Sequence, residues 1–316
     1  MRLAAFLTSL CCLLVATLVH SVAGLVAALV LAALGNATAG PAASSLLRSH
    51  VDPSKEGLSY GIVFSGASSG ALLAGLALPG IAMPFGWRWA FVATAALAVL
   101  ATVVAPGGRE LQPEAGQRAR APVGVTPIHT LTLAAFFASA AGTGLVSFII
   151  VYAIHSGITE AAAGLLLAAL SLAATVGRVA LGALGDRQGR DPLRLLTIVL
   201  AIGTIGYIPL ATGIPELVAI GALLAGGPGW MWPGSLAFVA VRHAPAAPAW
   251  AVGVLLSGLF AGAAVGPFVI GQLFASGDQR SAWAICCTCS VIAVVLLIVF
   301  MRRHPTPGAS MRAATE

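Results

Sequence analysis

Residues 177–190 read Gly177-Arg178-Val-Ala-Leu-Gly182-Ala-Leu184-Gly-Asp186-Arg187-Gln-Gly189-Arg190, a cluster of charge and glycine between apolar runs at about 158–184 and 192–212. Runs of that length, rich in Ala and Leu, match the roughly 20 residues a helix needs to cross a bilayer. The cluster therefore reads as a short polar turn at a membrane surface. Working outward, further apolar runs fall at about 3–20, 22–47, 58–82, 86–105, 127–153, 216–241, 248–274 and 281–301, about ten in all. Barrel strands would be about ten residues long with alternating polarity. Lipid offers backbone groups no partner, so the runs are predicted to be helices. The fold class is an all-α polytopic membrane protein.

Composition agrees. Hydrophobic residues make up 59% of 316 and charged residues 8%, against about 25% in a soluble domain. Mean hydropathy is +0.99. The net charge of +6 does not point to nucleic acid. Ten crossings put both termini on one side. If that side is the cytoplasm, thirteen of the sixteen basic residues lie inside, only Arg88 and Arg280 lie outside, and Arg178 falls within a span. That asymmetry is the positive-inside rule. Fifteen of the sixteen are Arg, which suggests a GC-rich bacterium, hence a multi-pass inner-membrane protein with both termini cytoplasmic. Cys11, Cys12, Cys286, Cys287 and Cys289 all fall in spans, without nearby His or acid, and read as packing residues. No metal, cofactor or redox role is expected of them. Met1-Arg2 and the run before Val22-Ala23-Gly24 resemble a signal peptide, but a second apolar run follows at once.

The chain repeats itself. A gapless shift of 192 residues pairs Gly35 with Gly227, Pro41 with Pro233, Pro53 with Pro245, Gly61 with Gly253 and Ser65 with Ser257. It also pairs Gly66 with Gly258, Gly70 with Gly262 and Arg88 with Arg280. The polar stretch 106–126 leaves four runs before it and six after. The expected organisation is an incomplete N-terminal half at 1–105, a cytoplasmic linker at 106–126, a six-helix C-terminal half at 127–304 and a cytoplasmic tail at 305–316. Parallel six-helix repeats are one way transporters are built. By this register the first copy starts about 65 residues before Met1, the length of two helices and a loop.

The turn at 177–190 resembles the G-x-L-x-D-R-x-G-R signature of the major facilitator superfamily, which joins the second and third helices of each half. Gly86-Trp87-Arg88-Trp89-Ala-Phe91 and the Gly-rich runs 58–82 and 248–274 resemble that family too. The resemblance covers the whole chain as helices three to twelve of twelve, a two-half bundle lacking its first pair. It implies that Arg178, Gly182, Asp186, Arg187, Gly189 and Arg190 form a gating motif. By pseudo-symmetry Asp186 is expected near the start of the span at Gly57–Gly61, where a helix dipole favours an anion. Gly258-x-x-x-Gly262-x-x-x-Gly266-Pro267-x-x-x-Gly271 reads as a close-packing stripe. A drug:proton antiporter resemblance is weaker, because the corresponding run has no such proline.

In such an architecture the first and fourth helices of each half line a central cavity. Gly226-Gly227-Pro228-Gly229-Trp230-Met-Trp232-Pro233 breaks helix regularity at mid-membrane, and irregular backbone at that depth normally lines a cavity. Trp230 and Trp232 are expected cavity walls, with Asn36, Ser147, Tyr152, Ser65 and Ser257 as further candidates. Arg178, eight residues before Asp186, is expected to snorkel to the interface or pack in the gate; the other reading has it attract an anion. All ten acids fall in loops or at helix ends, so no mid-span carboxylate is available to carry a proton. A histidine such as His155 is one substitute. No Walker A sequence occurs, which excludes ATP-driven transport within this chain.

The expected function is secondary transport of a small molecule by alternating access, efflux being one direction and a proton one candidate second cargo. The expected partners are that substrate and the lipid bilayer, with no nucleic acid and no required oligomer. No enzyme activity is expected. The alternative is a transport-inactive truncated or non-transporting membrane protein.

Overall fold

The computed structural model describes residues 2–37, 51–104, 126–187, 191–245 and 247–304. Every regular element among them is helical. The helices are α1 (Arg2–Thr17), α2 (Val22–Ala37), α3 (Glu56–Phe85), α4 (Trp87–Val104), α5 (Thr126–His155), α6 (Glu160–Gly185), α7 (Pro192–Leu210), α8 (Pro215–Gly226), α9 (Trp232–His243), α10 (Pro248–Ala275) and α11 (Gln279–Arg303). Six of them, α3, α5, α6, α7, α10 and α11, are long and apolar enough to cross a membrane, and α1, α2 and α4 contain shorter apolar stretches. The run expected at 216–241 is helix in two pieces, α8 and α9, joined by a 3-10 turn at Pro228–Trp230. Twelve residues make about 18 Å of helix, too short for a hydrocarbon core of about 30 Å, so only the two pieces together match a crossing.

The boundaries follow from local chemistry. Thr159 caps α6 by accepting from Ala162 N–H, and Asp191 caps α7 by accepting from Leu193 N–H ahead of Pro192. Asp278 caps α11 through Ser281, whose hydroxyl and N–H hold its carboxyl below the usual carboxylate range. The turns before α4 and α11 need a left-handed residue, and Gly86 (φ 95°) and Gly277 (φ 81°) supply it. The 192-residue shift recurs in the elements themselves. Glu56 opens α3 and Pro248 opens α10; Trp87 opens α4 and Gln279 opens α11.

The chain forms two compact units. One comprises residues 1–46 and 76–120, the other 47–75 and 121–316. In the first, Ser9 on α1 donates to the Ala95 carbonyl of α4 at 3.2 Å. Arg88 closes the end of α1, donating to the carbonyls of Ala16 and Val19 at 3.0 Å each. Those carbonyls have no partner within the helix, and a cation suits that end of the dipole.

The second unit is organised along α5. One apolar cluster gathers Leu131 and Ala138 of α5 with Tyr60, Leu196, Trp232, Phe238, Leu255 and Phe300. The other gathers Leu145, Ile149 and Tyr152 with Leu170, Tyr207, Leu210, Ile270 and Trp283. The α5–α10 contact is set by glycine. A Cβ added at Gly258, Gly262 or Gly266 would lie 2.3, 2.1 or 2.2 Å from the carbonyl oxygens of Thr132, Phe136 and Ala140. Outward, large apolar side chains such as Phe268 (67% exposed) face away from the protein, which only lipid makes tolerable.

Candidate functional site

Within the second unit, α3 and α6 run antiparallel and touch along a seam of small residues. A Cβ on Gly57 would sit 2.6 Å from the Gly182 carbonyl, and one on Gly61 would sit 2.5 Å from that of Arg178. A Cβ on Gly75 would sit 2.6 Å from the Ala168 nitrogen and 2.7 Å from the Gly164 carbonyl. Between these points the Thr175 hydroxyl donates to that of Ser68 at 2.8 Å. The backbones approach this closely only because no side chain stands between them.

At one end of the seam stands Asp186. Its Oδ1 accepts from Gly57 N–H at 2.7 Å and its Oδ2 from Leu58 N–H at 2.8 Å. These are the second and third residues of α3, whose N–H groups have no intrahelical partner. Asp186 thus supplies from another helix what an N-cap side chain supplies locally, with charge-assisted bonds. Its own position is otherwise unfavourable, since it is the C-cap of α6, where a helix dipole repels an anion. Both Gly57 and Gly182 must lack a Cβ for the carboxylate to get in. Arg187 is exposed. Gly189 and Arg190 lie outside the described residues.

Eight residues back along α6, Arg178 is 1% exposed. Its Nε and Nη2 donate to the Trp230 carbonyl at 3.0 and 2.8 Å, and its Nη1 donates to the Phe64 carbonyl on α3. The guanidinium also lies 4.9 Å from the centroid of the Trp230 ring, within cation–π range. A snorkelling side chain would be wet at its tip, and this one is not. Its chief acceptor exists because the helix is broken. Met231 is the N-cap of α9, so the Trp230 carbonyl precedes the α9 ladder and is free to accept from elsewhere.

The other candidates are dispersed. Trp230 and Trp232 are 8% and 2% exposed. Trp230 packs against Gly142, where an added Cβ would meet its Cδ1 at 2.7 Å, and Trp232 belongs to the cluster around Leu131. Tyr152 is buried, donates to the Leu210 carbonyl, and meets Phe274 and Trp283 edge-on. Ser65 and Ser257 each donate to a carbonyl three residues back, Ile62 and Val254, at 2.6 and 2.7 Å. Ser147 is exposed, as is His155 at the end of α5. The side chain of Asn36 lies outside the described residues. Sequence reading missed Gly57, Gly61, Ser68 and Gly75 as a set. Their spacing of four, seven and seven places them on one helix face, and that spacing was the available signal.

A sequence model of the Major Facilitator Superfamily matches residues 1–132 and 131–315. The chain belongs to the Major Facilitator Superfamily. As a member of that superfamily it is a multi-pass membrane transporter by fold and family. Solved structures agree on the fold. The chain is similar to the superfamily transporter FucP in its outward conformation, with 17% identity and a TM-score of 0.65, covering 95% of this chain and 82% of that one. It is similar to a variant of the E. coli fucose:proton symporter FucP at 16% identity and a TM-score of 0.66, with the same coverage. A sequence comparison with curated proteins returns no match. The turn between α6 and α7, within the second matched stretch, is the one that carries Asp186.

Proposed function

We propose that this superfamily member is a secondary transporter that moves a small molecule across a bacterial cell membrane by alternating access. In this reading the Asp186 contact is a latch that holds one end of the α3–α6 seam closed. The observation that carries it is the double bond from the carboxylate of one helix to the free N–H groups of another. A contact made only of Asp186 and two backbone N–H groups releases as a unit. Once released, Asp186 faces only the unfavourable end of its own helix, so closed and open are distinct states rather than a continuum.

The division of labour follows the expected halves, 1–105 and 127–304, with both termini cytoplasmic and a cavity served by Asn36, Ser65, Ser147, Tyr152, Trp230, Trp232 and Ser257. Arg187, Gly189 and Arg190 complete the gate, the arginines anchoring the turn at the anionic inner leaflet. The direction of transport, efflux included, and proton coupling are further questions for flux measurements.

The test needs no known substrate. In a chain whose five cysteines are replaced, Ser68→Cys lies inside the seam and reports its opening to a membrane-impermeant maleimide. Asp186→Asn keeps one neutral acceptor and loses the charge and the other bond, which shifts the open–closed balance by about 1.5–3 kcal/mol, roughly tenfold or more. Asp186→Asn should therefore label Ser68→Cys at least tenfold faster while inserting normally. An unchanged labelling rate in a normally inserted Asp186→Asn protein would remove the latch.

A further inference from the structure

We propose that the substrate is a small organic anion, a carboxylate, and that Arg178 is its counter-charge in the binding-competent state. This rests on the transporter reading above and adds the substrate class.

A guanidinium has five N–H donors. Three are engaged, two on the Trp230 carbonyl and one on the Phe64 carbonyl. Two remain, one on each terminal nitrogen. Among the described residues every partner of Arg178 is uncharged, including the Trp230 ring. Burying a cation without a counter-charge is costly, and a charge retained within a span marks a functional position.

The acid nearest along α6 is Asp186, eight residues and about 12 Å away at 1.5 Å per residue, with both oxygens committed to α3. The other acids in the described helices, Glu56, Glu160 and Glu216, all stand in first turns at helix ends. The Trp230 carbonyl stands just before Met231, the N-cap of the 12-residue helix α9, so the guanidinium sits beside a helix N-terminus. Helix dipole and guanidinium are both positive there, an unfavourable pairing that an anion reverses for both at once.

The same elements carry unpartnered polar atoms. Trp232 Nε1 and Ser235 Oγ, in the first turn of α9, are buried without a hydrogen-bond partner. So is Ser171 Oγ on α6, two helical turns from Arg178. Native structures leave few such atoms, and these lie on the two elements that meet at Arg178. All three can donate. At Arg178 itself the described partners are two carbonyls and an indole ring, with unused N–H donors and no anionic acceptor among the described residues. A planar carboxylate presents two oxygens at the spacing of a guanidinium fork, and it reaches the fork when the Trp230 carbonyl swings away with the broken segment. A phosphate would bring a second charge that this single cation does not balance.

The test uses the purified full chain in proteoliposomes, with benzoate and butyrate as probes and benzamide and butyramide as their uncharged counterparts. Binding is read by thermal shift in detergent and transport by uptake of the radiolabelled acid. Wild type should bind and move at least one acid and neither amide. Arg178→Lys should weaken acid binding about tenfold or more, because it keeps the charge and loses the fork. Arg178→Gln should abolish acid uptake. If Arg178→Gln fails to fold, the Arg178→Lys comparison decides alone. Equal handling of acids and amides, no handling of either, stabilisation by chloride as large as by the acids, or full acid uptake in Arg178→Lys or a folded Arg178→Gln would each overturn the proposal. The two readings fail separately. An unresponsive Ser68→Cys label sinks the latch whatever binds, whereas charge-blind uptake through a working latch sinks only the substrate class.

Discussion

The helices α3 and α10 carry the same glycine register and end up in opposite surroundings. On α10, Gly258, Gly262 and Gly266 are pressed against the backbone of α5. On α3, Gly66 and Gly70, the residues 192 positions earlier, meet nothing within 4 Å among the described residues. The helix α3 is instead held to α6 through Gly57, Gly61, Ser68 and Gly75, about half a turn round the helix from Gly66 and Gly70. A small-residue stripe therefore encodes a capacity for close approach and not a partner. What decides its use is whether a second helix is there to approach, and α5 is there for α10.

The largest expected effect tests that difference directly. Gly262→Leu places a Cβ 2.1 Å from the Phe136 carbonyl, and backbone cannot move aside as a side chain can. It should cost about 3 kcal/mol or more, seen as loss of monodisperse protein in detergent size-exclusion chromatography. Gly70→Leu, its repeat partner, should change thermal stability by no more than about 0.5 kcal/mol. Equal damage from both would show that another helix covers the α3 stripe in the membrane.

The fold was legible because hydropathy and helix length are properties of single segments. The break between α8 and α9 was legible too, since Gly227, Pro228 and Pro233 are residue types that interrupt a ladder. Asp186 stands within the stretch to which the repeat register pointed, because the N–H groups that attract it sit at a helix start and helix starts are readable. The surroundings of Arg178 were not readable. Its acceptors are backbone carbonyls, at Trp230 and Phe64, and which carbonyls a side chain meets across helices leaves no mark in residue type. Trp230 and Trp232, expected as walls of a cavity, are buried here, one against a guanidinium and one in the cluster around Leu131.

A middle-sized effect sharpens what holds α3. Gly61→Ala adds a single methyl group that would stand 2.5 Å from the Arg178 carbonyl. It should destabilise by about 1–3 kcal/mol and raise labelling of Ser68→Cys, because the seam must part to admit it. Gly66→Ala, on the open face, should do neither. A Gly61→Ala protein with wild-type labelling would mean that the seam is loose enough to absorb a methyl group. The closeness of α3 and α6 would then not be what Asp186 latches.

The smallest effect separates the two helices least and is informative for that reason. Ser65 on α3 and Ser257 on α10 occupy the same repeat position and make the same bond, each hydroxyl donating to the carbonyl three residues back. That bond is local to the helix and does not depend on which helix lies alongside. Ser65→Ala and Ser257→Ala should each change thermal stability by no more than about 0.5 kcal/mol, and by similar amounts. If one of them instead lowers uptake while leaving stability unchanged, that hydroxyl turns to the substrate during the cycle. The repeat would then be asymmetric in function as well as in packing, with the serine that matters marking which of the two helices lines the path.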